Sequence, residues 1–348
     1  MKHNGMKKDN IFKRGWSAVK DAVYDLHSAV CRRLFKRRGD KPVKISRGKK
    51  KKLAFYIAFS APLLLQFLIF YVYVNFNSVL MAFQKYDYTA GIFTWAAFDN
   101  FTRVFNDIFV NSEKRVFMQL TFKNSFIVYA VSLIIGTTLS VLFSFYVYKK
   151  AAGSRLFKIA LFFPSILSGV ALVTIYRNLA ELGVPAVWNG IFKTGMKGLI
   201  GNPNTVFGAV LFFGIFTGFG TTVLMYTGAM SSINDSVVEA AKLDGASAFR
   251  ELIHITLPSI YPTFVTFIVA GIAGIFLNQM SLFTFFGYNA ESALYTVGYF
   301  IYRNTLANVA SMSDYPYIAA FGVLLTVILV PVAFTVRKLL EKFGPSTD

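Results

Sequence analysis

The sequence has few of the residues that build disulfide frameworks, metal centres and charged surfaces. Its 348 residues include one cysteine, three histidines and only 15% charged side chains. A single cysteine cannot form an intramolecular disulfide, and His3, His27 and His254 are too scattered for a recognisable metal motif. Soluble globular domains carry about 25% charged residues, so the low charge argues against an ordinary soluble domain.

Nucleotide-binding and hydrolase motifs are also absent from the sequence. A phosphate-binding loop reads Gly-x-x-x-x-Gly-Lys-Ser/Thr, and the nearest segment fails because Met196 separates Gly195 from Lys197. Neither HExxH nor GxSxG occurs. The sequence therefore predicts no catalytic residue, metal or cofactor on this chain, so any ATP that drives the protein must bind another chain.

Most of the positive charge lies in the first 52 residues. This extension holds 18 Lys and Arg against four Asp, a net charge of +14, and the rest of the chain carries only +5. We therefore expect a basic tail and no nucleic-acid partner. Apolar residues recur in it at steps of three and four: Phe12, Trp16, Val19, Val23, Leu26, Val30 and Leu34. This pattern fits equally a helix on an anionic membrane surface and a solvated extension that fixes topology.

Long apolar runs dominate the remaining sequence. Hydrophobic residues make up 55% of the chain, and its mean hydropathy is +0.51. A bilayer core roughly 30 Å thick needs about 20 mostly apolar helical residues. Six segments meet this requirement: 53–83, 125–148, 156–180, 206–230, 264–286 and 316–336. The sequence predicts an all-α, polytopic membrane protein with six transmembrane helices.

The distribution of Lys and Arg predicts the orientation of these helices. Because 52 residues precede the first apolar run, we expect that run to be retained rather than cleaved as a signal peptide. With the N-terminus inside, cytoplasmic segments hold 27 Lys and Arg and the other side holds nine. We expect a cytoplasmic extension at 1–52, a transmembrane domain at 53–342 and a short tail at 343–348, with both termini in the cytoplasm.

Ionisable residues are nearly absent from the expected spans. Only the third span contains any, Lys158 and Arg177, and both lie near its ends, where snorkelling to the interface explains them. Ion-coupled carriers and proton relays usually place ionisable side chains at membrane depth. The sequence therefore disfavours a self-contained secondary transporter and fits a neutral solute better than a charged one.

The segment between the fourth and fifth spans is the most specific part of the sequence. Ser236 and Glu239 have the spacing of a capping box, and Gly245 is expected to break the helix in a left-handed turn. A second helix is expected over 246–255, with Pro258 ending it. Two functions fit this helix-turn-helix: a helix that seals the cytoplasmic membrane edge, and a helix whose small side chains enter a groove on a soluble partner.

Glu239-Ala240-Ala241, followed by Gly245 and then by Ile255-x-Leu257-Pro258, resembles the EAA motif of the membrane subunits of binding-protein-dependent ABC importers. Over about 53–342 the six-span layout is similar to that of maltose-type sugar permeases. Two details support this likeness, a Phe163-Pro164-Ser165 turn entering the third span and Asn278-Gln279 in the fifth. The basic extension and the long first external segment resemble the oligosaccharide and polysaccharide subgroup. The resemblance implies the type I permease fold of ABC importers.

The resemblance also implies partners and functional residues. The loop 231–260 would be a coupling loop seated in a cleft of an ATP-binding subunit. Glu239 would contact that subunit, Ala240 and Ala241 would form the close-packed surface and Gly245 the hinge, and the motif would end at Ile255, Leu257 and Pro258. A pair of ATP-binding subunits would hold ATP and Mg²⁺, and a second permease, usually a different chain, would complete the pore. A solute-binding protein would deliver oligosaccharide outside the bacterial plasma membrane, and closure of the ATP-binding subunits would drive gating.

A neutral sugar needs hydrogen-bonding side chains and aromatic faces. Asn278, Gln279 and Ser281 in the fifth span, with Tyr176 and Asn178 in the third, are the candidate sugar contacts. Each of them also fits a hydrogen bond between helices. Aromatic and charged residues in the external segments 84–124, 181–205 and 287–315 fit docking of a binding protein, and equally an aromatic belt at the lipid interface.

Two other functions remain open from the sequence. One is an ABC permease for a different solute or a component of a lipid-linked exporter, which solute competition during uptake would distinguish. The other is a membrane-bound enzyme or a scaffold without transport activity, which the lack of an acid, base or metal constellation disfavours.

Overall fold

The computed structural model describes residues 47–307 and 312–345. The chain divides into two compact units, residues 1–72 and 73–348. The amphipathic pattern between Phe12 and Leu34 lies outside the described residues and stays a prediction.

The first helix matches the expected first span. Helix α1, Arg47–Gln66, continues through a π-helical stretch, Phe67–Tyr73, into α2, Val74–Met81. The 27 residues from Phe55 to Met81 include an 18-residue window with a mean hydropathy of 2.0, so the helix is long and apolar enough to cross a bilayer. The helix begins within the basic extension, because a run of lysines favours a helix as well as marking the membrane boundary.

A small hairpin follows, which an all-α expectation does not include. Strand β1, Gln84–Asp87, pairs antiparallel with β2, Ile92–Trp95, and Gly91 takes a φ of +65° in the turn. The two strands have only four residues each, too short for a clear alternating pattern. Helix α3, Asp99–Phe109, comes next and buries Val104 and Ile108.

The second span is the longest continuous helix of the described chain. Helix α4, Ser112–Val131, passes through a π-helical stretch, Ser132–Gly136, into α5, Thr137–Tyr148. The length of this 37-residue helix exceeds the thickness of a bilayer core. It begins at Ser112, well before the expected start at 125. The added turns are polar but helix-favouring, and hydropathy does not detect them.

The third expected span, 156–180, is not one helix. Helix α6, Ser154–Ile166, ends where Leu167 and Ser168 adopt extended backbone angles. The chain resumes as α7, Gly169–Asn178, continues through a π-helical stretch, Leu179–Gly183, and ends in α8, Val184–Phe192. The break at Leu167 and Ser168 thus comes later than the turn expected at Phe163-Pro164-Ser165. Pro164 is accommodated inside the last turns of α6. Apolar residues on both sides of the break hide it from a hydropathy average.

Helix α9, Val206–Met230, is the fourth span and packs closely on α5 and α6. The Ser144 hydroxyl donates to the carbonyl of Val223 at 3.0 Å, which joins α5 to α9. A Cβ atom at Gly220 would lie 2.7 Å from the carbonyl oxygen of Leu161, so α6 and α9 can approach this closely only at a glycine.

The expected fifth span, 264–286, is wrong as a continuous helix. Helix α13, Tyr261–Ala273, stops before Gly274, and the short helix α14, Leu282–Phe286, begins only after an irregular turn. Thirteen helical residues cover about 20 Å, less than the bilayer core. A bend of 67° separates α13 from the preceding helical segment, Ala248–Ser259.

The last two helices complete the bundle. Helix α15, Val297–Ala307, precedes the final span, α16, Asp314–Phe343, which packs against α13. The described chain thus has five continuous apolar helices that are long enough to cross a membrane, and six candidate spans when the bent pair is included. The prediction of an all-α, multi-pass membrane protein is confirmed, with the span boundaries corrected as above.

Three clusters of buried apolar side chains hold the helices together. One surrounds Tyr299 near α7, α9 and α14, and a second surrounds Phe321 between α3, α4 and α16. A third joins Tyr226 and Met230 of α9 to Leu252 and Ile260 in the segment before α13. This third cluster fixes the base of the loop 231–260.

Candidate functional site

The loop 231–260 is the helix-turn-helix that the sequence predicts. Helix α10 is Asp235–Leu243 and α11 is Ala248–Glu251, which continues through a π-helical stretch, Leu252–Thr256, into α12, Leu257–Ser259. The helical segment Ala248–Ser259 ends one residue after Pro258, close to the end that the sequence predicts.

The residue that caps α10 also differs from the prediction. The side-chain oxygen of Asn234 accepts hydrogen bonds from the backbone amide of Ser236 at 3.1 Å and from its hydroxyl at 3.0 Å. Ser236 therefore lies inside the helix and forms no capping box with Glu239, because the helix begins two residues earlier than the spacing of Ser236 and Glu239 suggested.

Gly245 ends α10 with a φ of +74°. A Cβ atom there would meet no other atom within 4 Å, so glycine is favoured by backbone conformation rather than by space. The amide of Ala246 donates to the carbonyl of Ala241 at 2.9 Å and that of Gly245 to the carbonyl of Lys242 at 3.1 Å, as in other glycine-terminated helices.

Helix α10 presents a mixed surface to solvent. Glu239 and Ala240 are exposed, whereas Ala241 is buried beside Val238. The two alanines of the motif therefore differ: Ala240 lies on the exposed face of α10, and Ala241 lies on its buried face. Leu243, 89% exposed, and two other large apolar residues of the loop, Val237 and Phe249, are also exposed. Exposed apolar side chains next to a small residue and an acid indicate a surface for a protein partner.

A buried ion pair attaches the second helix of the loop to the second span. The Lys149 Nζ atom lies 2.6 and 2.8 Å from the carboxylate oxygens of Glu251, which is only 3% exposed. Lys149 directly follows α5, so the pair joins α11 to the end of that helix. The sequence analysis counted Lys149 only among the positive charges that set membrane orientation. Its pairing with Glu251 was not predicted, because the two residues lie 102 positions apart and no local pattern connects them.

The motif's last residues form the base of the loop. Ile255, Leu257 and Pro258 are half-buried, and Leu257 packs against the cluster around Tyr226 and Met230. These residues therefore contribute to the fold of the loop rather than to its exposed surface.

An irregular turn at residues 274–281 interrupts the bundle. Met280 and Ser281 both adopt left-handed angles, with φ of 54° and 55°. The side-chain oxygen of Asn278 accepts from the amide of Met280 at 2.8 Å, and its backbone carbonyl accepts from the hydroxyl of Thr296 at 2.8 Å. Asn278, Gln279 and Ser281 thus lie in a turn, not on the helical face that the sequence suggested.

Helix α4 supplies hydrogen bonds to the backbone that packs against this turn. The Asn124 amide donates to the carbonyls of Ala293 and Tyr295 at 2.8 and 3.0 Å. The Ser125 hydroxyl accepts from the amide of Val297 at 2.9 Å. Irregular backbone in a membrane protein needs such partners, because lipid offers none. The sequence analysis missed both residues, which resemble ordinary polar positions on an apolar helix.

A groove of about 300 Å³ lies between the second span, α9 and α13. Its polar lining consists of hydroxyl and amide side chains: Tyr129, Ser132, Thr137, Ser140, Thr222, Tyr226 and Asn278. No charged side chain is among its lining residues in the described chain. The buried Tyr226 hydroxyl has no hydrogen-bond partner within the described residues. We name this space the membrane groove.

Glycines border the membrane groove on two sides. Gly214 and Gly218 lie on α9, and Gly271 and Gly274 lie at the end of α13. A Cβ atom at Gly271 would come within 2.8 Å of the Tyr129 ring. These small residues keep the space between the helices open as well as permitting close packing.

Of the five candidate sugar contacts, only Asn278 lines the membrane groove. Tyr176 donates its hydroxyl to the carbonyl of Ala209 at 2.7 Å, and its ring packs against Phe213 and Phe285, so it links α7 to α9. Asn178 is exposed at the end of α7.

Arg177, which the sequence analysis explained by snorkelling, donates to the carbonyl of Phe285 at 2.5 Å and lies over the ring of Phe286. It therefore fixes α14 to α7.

Within residues 47–307 and 312–345, no group of three His, Cys, Asp or Glu side chains is close enough to hold a metal ion.

Comparison with known proteins gives one family and a consistent set of relatives. Residues 136–343 match the family of binding-protein-dependent transport system inner membrane components. The chain is 26% identical over 298 residues to the arabinooligosaccharides transport system permease protein AraP of Bacillus subtilis (strain 168), covering 84% of this chain and 90% of that protein. It is 26% identical over 220 residues to the multiple sugar-binding transport system permease protein MsmF of Streptococcus mutans, covering 62% and 74%.

The fold also has a counterpart among crystal structures. A chain of a bacterial ABC transporter involved in the import of the acidic polysaccharide alginate superposes with a TM-score of 0.69 and 20% sequence identity. The match covers 84% of this chain and 97% of that chain. This likeness confirms the permease fold that the sequence predicts.

Proposed function

Because this chain belongs to the family of binding-protein-dependent transport system inner membrane components, we propose that it is a permease subunit of an ATP-driven importer of oligosaccharides. The observation that carries the proposal is the loop 231–260. It presents an exposed acid, a small residue and exposed apolar side chains on α10, and it is joined to the bundle by Lys149 and Glu251. Such a loop can receive force from a soluble partner and pass it to a span.

The membrane groove supports a neutral, hydroxyl-rich substrate. Its lining offers hydroxyl and amide groups and no countercharge for an ionised solute. The names of AraP and MsmF refer to transport of arabinooligosaccharides and to multiple sugars, which agrees with this chemistry. We propose that Asn278 contacts the sugar in this groove and that Tyr226 offers its unpaired hydroxyl. Tyr176, Asn178, Gln279 and Ser281 have supporting roles in our proposal.

The proposed orientation places the loop 231–260 and both termini in the cytoplasm of a bacterium, with the chain in its plasma membrane. The excess of Lys and Arg on that side supports this orientation. Two ATP-binding subunits would carry ATP and Mg²⁺, and a second permease, normally a different chain, would complete the pore. A solute-binding protein would dock on the opposite side.

We propose the following coupling. The ATP-binding subunits close and move α10, which they contact through Glu239 and Ala240. The bond between Lys149 and Glu251 transfers this movement to α5, while the cluster around Tyr226 transfers it to α9. Since α5, α9 and α13 enclose the membrane groove, their displacement exposes it to one side of the membrane and then to the other.

The first test is purification of the tagged chain from solubilised membranes, for the wild type and for Glu239→Lys. We expect the wild type to carry an ATP-binding subunit and a second permease, and the variant to lose the ATPase at an unchanged level in the membrane. Glu291→Lys is the matched control, because Glu291 is an exposed acid outside the loop. A chain that purifies alone in every case would contradict the proposal.

The second test identifies the solute. Uptake of a labelled neutral arabino-oligosaccharide is measured in cells with and without the chain, in competition with an amino acid, a uronic acid oligomer and a monosaccharide. We expect competition from neutral oligosaccharides alone. Competition by a charged or non-sugar solute would assign the chain to a permease for another solute.

A further inference from the structure

A second polar cavity lies at the end of the bundle opposite the loop 231–260. It has a volume of about 240 Å³ and lies between α3, the start of α4, α15 and the start of α16. The α16 end is opposite the loop because the Tyr261 hydroxyl, at the loop side, binds the carbonyl of Leu340 near the other end of α16. We name this cavity the outer pocket. In the proposed orientation it opens outside the membrane.

Charged side chains in the outer pocket are already matched in pairs. Lys114 Nζ lies 3.1 Å from an oxygen of Asp107, and an Arg103 nitrogen lies 3.6 Å from an oxygen of Asp314. Two cations and two carboxylates therefore leave no excess charge to attract an ion. A neutral ligand with several hydroxyl groups can donate to the carboxylates and accept from the cations without breaking either pair.

One polar group of the outer pocket lacks a partner. Tyr317 is only 6% exposed, and its hydroxyl makes no hydrogen bond within the described residues. The Asp107 carboxylate lies beside this hydroxyl without reaching hydrogen-bond geometry, and the guanidinium of Arg103 lies 4.8 Å from the ring centroid. A buried hydroxyl without a partner is unfavourable, so it is a site that a ligand hydroxyl can satisfy.

The remaining walls suit a sugar ring. Phe117 and Phe300 line the cavity and meet edge to face, with ring centroids 5.9 Å apart. Asn304 adds an amide group, whose nitrogen donates to the carbonyl of Phe300 at 2.8 Å. Aromatic walls next to carboxylate, guanidinium and amide groups match the two kinds of surface that a sugar presents, C–H faces and hydroxyl edges.

We propose that the outer pocket binds one sugar ring of a neutral oligosaccharide before the chain of sugars enters the membrane groove. The inference rests on the proposed function and adds a second sugar site, separate from the membrane groove. The pocket and the groove would then hold different rings of one substrate or successive positions of the same ring.

The test uses the complete transport system in lipid nanodiscs and a neutral arabino-trisaccharide that carries a photoreactive diazirine. We expect light to label peptides from α3 or α15, and Tyr317→Phe to weaken labelling roughly three- to tenfold, as loss of one neutral hydrogen bond predicts. Tyr315→Phe is the matched control, because Tyr315 is on the same helix and does not line the pocket. Asn304→Ala provides a second variant if Tyr317→Phe fails to fold.

Three results would overturn the inference: labelling confined to α9 and α13, equal labelling of α3 or α15 in Tyr317→Phe and wild type, or stronger competition by a uronic acid trisaccharide than by a neutral one. If oligosaccharide uptake is normal while the pocket stays unlabelled, only this inference fails. If the wild type neither imports nor binds oligosaccharide, the proposed function fails with it.

Discussion

The two ends of the bundle are held together in different ways. At the loop 231–260, one buried ion pair and one apolar cluster connect two short helices to the spans. At the opposite end, polar side chains repeatedly bind irregular backbone. Asn124 and Ser125 bind the segment 293–297, and Glu181 accepts from the amides of Ile200 and Gly201 at 2.5 and 2.6 Å.

The same pattern recurs beside the hairpin. The Asn100 amide donates to the carbonyls of Ala82 and Gln84 at 2.9 and 2.7 Å, which fixes α3 to the chain that leads from α2 into β1. Several polar bonds therefore hold one end, whereas the loop at the other end is held by one ion pair and one apolar cluster. This difference suits a protein that receives force on one side and holds a fixed surface on the other.

The largest effect that we expect follows from breaking the ionic connection. Lys149→Met leaves the Glu251 carboxylate buried without a partner, which destabilises by about 3 kcal/mol. We expect a lower unfolding temperature of the loop, and ATP hydrolysis that no longer drives uptake. Hydrogen exchange and paired ATPase and uptake assays measure these two effects.

The control for this variant exchanges the charges. Lys149→Glu combined with Glu251→Lys restores an ion pair, and we expect it to recover part of the stability and uptake. If Lys149→Met alone leaves both unchanged, the pair does not connect the loop to α5 in any functional sense.

A somewhat smaller effect is expected from loosening the opposite end. Asn124→Ala removes the donor to two carbonyls and should lower the free energy of unfolding by about 2 kcal/mol. Thermal unfolding in detergent measures the change, and Asn106→Ala, at an exposed position of α3, is the control. If the two variants are equally stable, the hydrogen bonds of Asn124 do not stabilise this end of the bundle.

The turn of the loop should respond to a single methyl group. Gly245→Ala forces an L-residue into a left-handed conformation and should cost about 1 kcal/mol, although the added atom meets no neighbour. Gly228→Ala, in α9 with equally open space, should be neutral or stabilising. Chemical denaturation of both variants tests whether backbone conformation or space determines the requirement for glycine.

The cap of α10 gives a finer test of the same region. Asn234→Ala should destabilise the helix by roughly 0.5–1 kcal/mol, because the amide of Ser236 loses its acceptor. Ser236→Ala should cost less, since only the bond from its hydroxyl is lost. Hydrogen exchange rates of the α10 amides compare the two variants. A larger effect of Ser236→Ala would instead support the predicted capping box of Ser236 and Glu239.

The smallest effect concerns the pH dependence of the hairpin. Hydrogen bonds from the Thr89 side chain and amide and from the Ala90 amide hold the pKa of Asp87 below its ordinary value of 3.8. Because the folded pKa is the lower one, this carboxylate stabilises the turn above the unfolded pKa, and the contribution is lost as the pH falls through the folded pKa.

Nuclear magnetic resonance of the Thr89 amide during an acid titration follows this loss. Asp87→Asn should remove the pH dependence while it keeps the turn, since asparagine also accepts from the following amides. A titration curve that is the same in Asp87→Asn and wild type would show that another group is responsible.

Sequence patterns predicted those parts of the molecule that depend on local composition. Apolar runs located the long helices, and the spacing from Glu239 to Gly245 located α10 and its left-handed end. These features depend on residues within one or two helical turns of each other, so local patterns in a single sequence are enough to predict them.

The missed features depend on breaks inside apolar segments or on distant partners. An average over 264–286 cannot distinguish one helix from α13, a turn and α14, because apolar residues on both sides of the turn outweigh its polar side chains, such as Asn278 and Gln279. The contacts of Asn124 and of Lys149 join residues more than 100 positions apart. The membrane groove was likewise not predicted, since its hydroxyl groups come from two spans, the second span and α9, and each one resembles an isolated polar residue.

The short helix α13 has a consequence for biosynthesis. Its 13 residues are too few to span a bilayer alone, and the turn after it exposes backbone that lipid cannot satisfy. Its packing partner α16 follows it in the chain, and so does Thr296, whose hydroxyl donates to the carbonyl of Asn278 in the turn. The ribosome therefore produces this half-span after its partners Tyr129 and Tyr226 but before α16 and Thr296. We therefore expect α13 to be fully stabilised only once the C-terminus is complete, and truncated chains ending before Asp314 to be recognised by membrane quality-control proteases.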